Sequence, residues 1–212
     1  NGTHWGMIDT KGGIFIPIEN EEVGDYNKKG VWVKKQGVFG VIVNGKFNPV
    51  ENAEKIWDFT DKSDLTYARS NKLMGYINTK GEWVIAPKYG KARDFSNGLA
   101  PVFMGKKWGY INEKGEQVID FNFNDAEVFS ADGLAPAKDK KWGFIDKTGK
   151  WAIQPEYDIT AGLSFDMFKK DVEKGFINGV ARVKHNKEWG FLNKNGEVLG
   201  NKWYQNAELF DN

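Results

Sequence analysis

The stretch that decides the fold runs from Gly98 to Ile119 and reads GLAPVFMGKKWGYINEKGEQVI. A close copy begins at Gly133 and reads GLAPAKDKKWGFIDKTG. The glycine of the Trp-Gly step recurs along the chain, at intervals of 34, 35, 34, 34 and 47 residues, at Gly6, Gly40, Gly75, Gly109, Gly143 and Gly190. A fixed period of this length indicates a repeat architecture in which each unit is one small supersecondary element.

Each unit holds three short runs suited to β-strands, with turn residues between them. In the unit quoted above, the runs are 99–103, 107–112 and 117–123. Short apolar runs joined by turns at regular spacing are typical of antiparallel hairpins. We therefore predict an all-β chain of about six tandem 34-residue hairpin repeats with three short strands each.

The turn between the second and third strands has a recognisable chemistry. In Asn112-Glu113-Lys114-Gly115, the first side chain can accept hydrogen bonds from the backbone ahead of it. Glycine at the fourth position suits the positive φ of a type I turn followed by a bulge. The second unit instead carries Asn44-Gly45, the signal of a two-residue type I′ hairpin. Two turn chemistries thus predict one hairpin geometry.

The glycine of the Trp-Gly step needs a physical reason, because glycine inside a strand costs roughly 0.5–1 kcal/mol relative to alanine. The simplest reason is close approach of a neighbouring backbone or a large ring. The glycine persists where the tryptophan does not, in Phe39-Gly40 and Met74-Gly75. We therefore expect the glycine to be the stricter requirement of the repeat.

The links between units show an alanine and a phenylalanine three residues apart, as in Ala92/Phe95, Ala126/Phe129 and Ala207/Phe210. Residues three apart share a face of a helical turn, so each link is predicted to hold one turn of helix whose phenylalanine enters the core. We expect a single domain over 1–212. Its units run approximately over 1–29 (partial), 30–63, 64–97, 98–132, 133–178 with an insertion, and 179–212.

Two arrangements of the units are open. Three strands per unit are fewer than the four of a usual propeller blade, and the strand that would complete the first sheet is not in the sequence. An open, curved, solenoid-like stack with contacts between neighbours is therefore favoured. A closed, propeller-like array is the alternative.

Composition excludes several classes of partner. The chain carries 30 Lys and Arg against 29 Asp and Glu, which is not the electrostatic footprint of a nucleic-acid or membrane-surface protein. No apolar run approaches the roughly 18 residues of a membrane span. The absence of cysteine fits the cytosol and the exterior alike. The chain opens at Asn1 in mid-repeat, which suggests a processed or trimmed N-terminus and favours a secreted or cell-envelope protein.

The stretches Lys107–Gly115, Lys141–Gly149 and Trp189–Gly196 share the pattern Lys-Trp-Gly-[Tyr/Phe]-Ile-[Asp/Asn]-x-x-Gly, the last from its Trp onward and with Leu for Ile. Trp83–Tyr89 and Trp151–Tyr157 add an apolar strand ending in Pro-x-Tyr. These residues resemble the WG repeat family of bacterial β repeats. The resemblance implies an all-β repeat protein with a role in binding, without shared catalytic residues. We accordingly expect no enzymatic activity and no cofactor.

Aromatic residues supply the candidate binding sites. The tryptophans tied to the period, such as Trp108, are expected to be core, while off-period ones are better candidates for a surface. The two histidines, His4 and His185, lie on distant units, so no metal site is predicted. The candidate binding residues are Trp57, Trp83, Trp151, Phe165, Phe168, Lys169 and Trp203.

The interval before the last unit is longer than the period and contains an insertion. Ser164 can cap a helix there, and Phe165, Phe168 and Val172 share one face. A short amphipathic helix over Ser164 to Lys174 is predicted, either as a binding element or as a shield for a sheet edge.

Taken together, the residues predict a non-enzymatic, monomeric repeat scaffold that binds a macromolecular partner, with a protein as the first choice. A glycan or cell-wall binding module that uses exposed aromatic residues is the alternative. Neither nucleic acid nor membrane insertion is expected.

Overall fold

The computed structural model describes residues 3–161 and 174–205. Their regular structure is almost entirely β-strand, and a 3₁₀ turn lies at Leu199–Asn201. No helix in the described part of the chain is long and apolar enough to cross a membrane. The strands are β1 (Trp5–Ile8), β2 (Ile14–Asn20), β3 (Glu22–Val23), β4 (Val31–Lys35), β5 (Val38–Val43), β6 (Lys46–Pro49), β7 (Lys55–Ile56), β8 (Leu65–Ser70), β9 (Leu73–Asn78), β10 (Trp83–Tyr89), β11 (Lys91–Ala92), β12 (Leu99–Met104), β13 (Lys107–Asn112), β14 (Gln117–Phe123), β15 (Asp125–Ala126), β16 (Ala135–Lys138), β17 (Trp142–Ile145), β18 (Trp151–Tyr157), β19 (Ile159–Ala161), β20 (Val180–His185) and β21 (Glu188–Asn193).

The chain forms two compact units. The first comprises the chain up to Phe95 together with Glu113–Gly115, and the second comprises Ser96–Asn112 and the chain from Glu116 onward. The first unit contains the sheets β1-β2, β3-β4-β5-β6 and β7-β8-β9-β10. Within the second, β12-β13-β14, β15-β16-β17-β18 and β19-β20-β21 are neighbours in that order. Neighbouring strands are antiparallel, which confirms the prediction of an all-β array of hairpin repeats.

The prediction of a helical turn in each link is wrong. The links at β3, β7 and β15 are two-residue strands that pair with the first strand of the following repeat. Asp125 and Ala126, for example, lie opposite Lys138 and Ala137. An extended link satisfies its own backbone groups and covers the edge of that first strand, which a helical turn would leave open.

The phenylalanines of the links nevertheless enter the core as predicted, since Phe95 and Phe129 are fully buried. The link at Ala207 and Phe210 lies outside the described residues, and so does the predicted helix over Ser164 to Lys174 except for Lys174 itself. Because four of the sheets have four strands, the number of strands per sheet does not distinguish an open stack from a closed, propeller-like array.

The turns have the predicted geometry. Gly115 has a φ of +81°, and the Asn112 side-chain oxygen accepts a hydrogen bond from the Glu116 amide at 3.0 Å. Asn44 and Gly45 both have positive φ, at 50° and 75°, as a type I′ turn requires. A local backbone requirement, readable from a few residues, therefore fixes each hairpin.

The glycine of the Trp-Gly step lies against a neighbour, as predicted. A Cβ on Gly109 would lie 2.8 Å from the Ile119 carbonyl oxygen, and one on Gly143 would lie 2.6 Å from that of Ile153. At Gly190 the neighbour is a ring, because a Cβ there would lie 2.7 Å from the Trp203 indole. The second strand and the chain that follows it can approach this closely only because the side chain is missing.

Two buried tyrosines tie the second strand to the link that follows it. The Tyr76 hydroxyl donates to the Arg93 carbonyl oxygen at 2.7 Å, and the Tyr110 hydroxyl donates to that of Glu127 at 2.8 Å. Burial, reinforced by the charge of Asp94, raises the pKa of Tyr76 well above its ordinary value of 10.0. Each hydroxyl thus finds an acceptor within the link that follows its strand.

Candidate functional site

The off-period tryptophans of the first unit are half-buried and engaged by their own neighbours. Trp57 stacks on Tyr67 with the ring centroids 4.8 Å apart, and the Lys55 ammonium lies 4.6 Å from its ring. The Trp83 indole N–H donates to the Glu51 carbonyl oxygen at 2.9 Å. Both rings keep some exposed surface, but each belongs to a different local cluster.

The same holds for the two tryptophans of the second unit. Trp151 meets Phe123 edge-on at 5.6 Å, and Trp203 covers Gly190 beside His185, whose ring centroid is 5.6 Å away. Both are half-buried and pack on the core. The remaining predicted binding residues, Phe165, Phe168 and Lys169, lie outside the described residues.

The tryptophans of the Trp-Gly step differ sharply in burial. Trp108 is 4% exposed and packs against Phe103, as expected of core. Trp142 and Trp189 are half-buried beneath cationic side chains. Trp5 departs from the expectation, because 58% of it is exposed.

Trp5 belongs to a group of exposed apolar side chains that we call the first-sheet surface. In the rest of the described chain, large exposed apolar residues occur singly, as Val118 and Val84 do. The members of the first-sheet surface all lie between residues 5 and 26: Trp5, Ile8, Ile14, Phe15, Ile18 and Tyr26. Of these, Ile8, Phe15 and Tyr26 line one recess and so form the contiguous part of the group. Exposed apolar side chains that lie together are typical of interaction surfaces.

The first-sheet surface is concave in part. Phe15 and Tyr26 meet edge-to-face at 5.5 Å. Both line a cavity of about 550 Å³ together with Met7, Ile8 and the Asp9–Thr10 turn. A second cavity of about 290 Å³ shares Phe15 and Tyr26. Aromatic rings that frame an apolar recess are suited to receive side chains of another molecule.

Sequence reasoning missed this surface, although a signal was present. The third strand of the first unit reads IFIPI over residues 14–18, whereas the corresponding residues 117–121 of the fourth unit read QVIDF. Ile14 thus stands where Gln117 stands, and Phe15 stands where Val118 stands. The signal in the sequence is therefore a large apolar residue at a position where another repeat has a polar or smaller residue.

A polar recess of about 420 Å³ lies elsewhere in the first unit, lined by Lys29, Ser63 and Glu113 among others. Its groups are bound to one another. The Lys29 ammonium is 3.0 Å from the Asp64 carboxylate, and the Ser63 hydroxyl donates to Glu113 at 2.6 Å. No group of three potential metal-ligating side chains occurs within residues 3–161 and 174–205. This recess is therefore explained by its internal contacts.

Comparison with solved structures finds similar chain traces at low identity. KlHsv2 with loop 6CD replaced by a Gly-Ser linker is 11% identical, with 84% of this chain and 64% of that chain covered and a TM-score of 0.49. Kluyveromyces lactis Hsv2p is 10% identical, with 83% and 62% covered and a TM-score of 0.47. The chain thus spans less than two thirds of the length of these structures. None of the curated proteins matches it.

Comparison with family models identifies the family of the chain, which the solved structures do not. A family model described as WG containing repeat matches more than half of the chain, in segments that include both the first sheet and the regular repeats. The matched residues are 5–47, 74–108, 108–141 and 142–160. With its recurrent Trp-Gly step, close-packed glycines and hairpin turns, the chain belongs to the WG containing repeat family.

Proposed function

We propose that this chain is a non-enzymatic repeat scaffold that binds a protein partner through the first-sheet surface. The observation that carries the proposal is the concentration of large exposed apolar side chains between residues 5 and 26. Five of them are more than half exposed: Trp5 at 58%, Ile8 at 61%, Ile14 at 62%, Ile18 at 61% and Tyr26 at 66%. A surface of this kind gains free energy when a partner removes it from water.

The chemistry of the first-sheet surface favours a protein as the partner. Fully burying one large apolar side chain contributes about 1.5–3 kcal/mol, so even partial burial of this group can support association. Between residues 5 and 18 the only Asp, Glu, Lys or Arg residues are Asp9 and Lys11, and Glu19, Glu21, Glu22 and Asp25 follow before Tyr26. An apolar centre with aromatic rings and charged residues beside it is the usual composition of a protein interface.

One observation favours a glycan as the second candidate. Trp83 is half-buried and lines a recess of about 310 Å³ together with Asn52, Asn71 and Glu51. A ring face beside amide and carboxylate groups can stack on a sugar and bond to its hydroxyls. The test is retention of the chain on an immobilised polysaccharide. If this recess binds glycan, Trp83→Ala will abolish that retention, while Phe15→Asp will leave it unchanged.

The protein proposal is tested by a matched pair of substitutions. Phe15 and Val118 occupy the same position of the third strand in two repeats and are 38% and 45% exposed. A photo-crosslinking residue in place of Tyr26 captures the partner, and the cross-linked protein is identified by mass spectrometry. We expect Phe15→Asp to abolish this adduct and Val118→Asp to retain it.

The cross-linking experiment has one contradicting result and one control for folding. An adduct that survives Phe15→Asp would contradict the assignment of binding to the first-sheet surface. Circular dichroism of both variants controls for folding, and neither should change, because both side chains lie in part in solvent.

A further inference from the structure

The dipeptide Asn-Gly occurs five times in the chain, and it is the sequence in which an asparagine side chain reacts most readily with the backbone. Glycine has no side chain, so the amide nitrogen that follows the asparagine is accessible. Four of the steps lie in the part of the chain that the structure describes: Asn44-Gly45, Asn97-Gly98, Asn178-Gly179 and Asn195-Gly196. Each is a candidate site of chemical modification.

Three of these steps form the same backbone turn. Asn44, Asn97 and Asn178 have φ of 50°, 56° and 51°, and the glycines that follow them have φ of 75°, 80° and 81°. Positive φ at both central residues is the mark of a type I′ turn. A Cβ on any of the three glycines would meet no heavy atom within 4 Å apart from its chain neighbours. Backbone shape and free space therefore do not distinguish the three turns, and hydrogen bonding must.

Two of the three turns are held by a hydrogen bond at a reacting atom. The Asn97 side-chain amide donates to the Ser130 carbonyl oxygen at 2.6 Å, which fixes the group that would leave. The Gly179 amide, which would be the nucleophile, donates to the Asp132 carboxylate at 3.0 Å, and this bond disfavours loss of its proton. The step at Asn195 is held as well, because the amide that follows it donates to a backbone carbonyl oxygen at 2.9 Å.

Asn44 has neither restraint. Its side chain is exposed, and no group within residues 3–161 and 174–205 bonds to its carboxamide or to the Gly45 amide. The turn is held only by the strands on either side of it, where Val43 lies opposite Lys46. The Gly45 nitrogen can therefore reach the Asn44 carboxamide carbon without first breaking a hydrogen bond at either atom.

We propose that Asn44 is a site of spontaneous deamidation that converts faster than the other described Asn-Gly steps. The Gly45 nitrogen gives up its proton to solvent and attacks the Asn44 carboxamide carbon. The bond from that carbon to Nδ2 then breaks, and Nδ2 takes a proton from solvent and leaves as ammonia. Water opens the resulting succinimide at one of its two carbonyl carbons, which gives aspartate or isoaspartate at position 44. Water is the only co-reactant, and no group is oxidised or reduced.

The position of Asn44 links this modification to the first-sheet surface, and that link rests on the proposed function. Asn44 and Gly45 line the cavity of about 290 Å³ that Phe15 and Tyr26 also line. Either product adds a carboxylate to this recess, and a charge beside an apolar recess opposes its burial by a partner. Isoaspartate also lengthens the main chain of a two-residue turn whose length fixes the strand register. Deamidation therefore weakens binding of the protein partner.

The test of the site follows all four steps in one sample of the full chain. The chain is incubated at mildly alkaline pH and digested, and chromatography with mass spectrometry measures asparagine, aspartate and isoaspartate at each position. We expect Asn44 to convert at least about fivefold faster than Asn97 and Asn178, which is the rate factor given by the net contribution of one hydrogen bond. Equal rates at the three positions, or a slower rate at Asn44, overturn the proposal.

A variant tests the role of the hydrogen bonds. Asp132→Ala frees the Gly179 amide, so we expect it to accelerate conversion of Asn178 and to leave the rate at Asn44 unchanged. Circular dichroism checks that this variant is folded, because Asp132 also lies 3.5 Å from the Lys194 ammonium. An unchanged rate at Asn178 in the folded variant overturns the argument from restraint.

The effect on the partner has its own readout, the adduct formed by the cross-linking residue in place of Tyr26. Asn44→Gly is the matched control, because glycine keeps the positive φ of the turn and has no carboxamide to lose. We expect incubation to lower the adduct severalfold in the chain with Asn44 and to leave it unchanged in Asn44→Gly. Equal loss in both chains, or loss in neither, overturns the link to binding. Failure of the proposed function looks different, since the adduct of the fresh chain then does not depend on Phe15 while Asn44 still converts.

Discussion

The first sheet, β1-β2, and the strands β12-β13-β14 carry the same Trp-Gly step in different surroundings. Trp108 is 4% exposed and packs edge-on against Phe103 at 5.7 Å, whereas Trp5 is 58% exposed. The glycines, in contrast, are used alike. A Cβ on Gly6 would lie 2.8 Å from the backbone of Pro17, and a Cβ on Gly109 would lie 2.8 Å from the Ile119 carbonyl oxygen.

The difference separates two requirements that the repeat combines in one dipeptide. The glycine contact belongs to the hairpin of the second and third strands, which both regions possess. Burial of the tryptophan depends on the first strand, because the residue facing Trp108 is Phe103 of β12. The glycine is thus needed for the hairpin, while burial of the aromatic ring depends on a residue of the first strand.

The largest expected effect is the loss of the close backbone approach. Gly6→Val and Gly109→Val should each lower the free energy of unfolding by about 2–3 kcal/mol, because the added side chain forces the third strand away. Denaturant midpoints of the variants measure this loss, with an unchanged slope as the control for two-state behaviour. A neutral Gly109→Val would contradict the close-approach account.

The second effect distinguishes the two tryptophans. Trp108→Phe should cost about 1–2 kcal/mol, since it removes part of a buried ring, whereas Trp5→Phe should stay within about 0.5 kcal/mol. The same denaturation experiment compares the two variants. Equal losses at both positions would mean that Trp5 is covered in solution.

A third, smaller effect concerns the residue after the glycine, which is Met7 in the first sheet and a tyrosine in the third and fourth repeats, Tyr76 and Tyr110. Tyr76→Phe should cost about 1 kcal/mol at neutral pH, because the Arg93 carbonyl oxygen loses its donor. The raised pKa of Tyr76 means that the unfolded chain loses this proton first, so stability falls as the pH rises above 10.0. The variant should show a shallower decline in that range, measured by urea midpoints across alkaline pH. An unchanged decline would assign the alkaline sensitivity to other groups.

The smallest effect lies in the turns, which the first sheet shares with the later repeats. The Thr148 hydroxyl donates to Asp146 at 2.6 Å and holds the pKa of that carboxyl below its ordinary 3.8. The contribution to stability is therefore present above pH 3.8 and lost as the pH falls below it. Asp146→Asn should flatten this acid dependence and leave neutral stability nearly unchanged, since Asn112 forms the same turn. A large loss at neutral pH would show that the charge itself matters.

Local backbone requirements account for what could be predicted from the sequence. The positive φ of Gly115 and the contact at Gly109 follow from a few adjacent residues and from their recurrence. The strand at Asp125–Ala126 could not be predicted in this way, because its partners at Ala137 and Lys138 are remote in sequence and an Ala-Phe spacing of three also fits a helical turn. Backbone pairing of this segment with the edge of β16 favours the extended strand over the helical turn.

The first-sheet surface escaped prediction for a related reason. Ile14 and Ile18 are suited to a strand, and their residue types alone do not reveal whether another element covers them. Only the exposure of these side chains in the structure distinguishes them from core residues. The regular repeats therefore do not predict the exposure of side chains in the first sheet, where the surroundings differ.

Hydrogen exchange in β1 and β13 tests the central claim most directly, because the two strands hold the same position in their repeats. In the free chain, we predict rapid exchange of the β1 amides that face the open edge and strong protection of their counterparts in β13. Equal protection of both strands in the free chain would contradict the account.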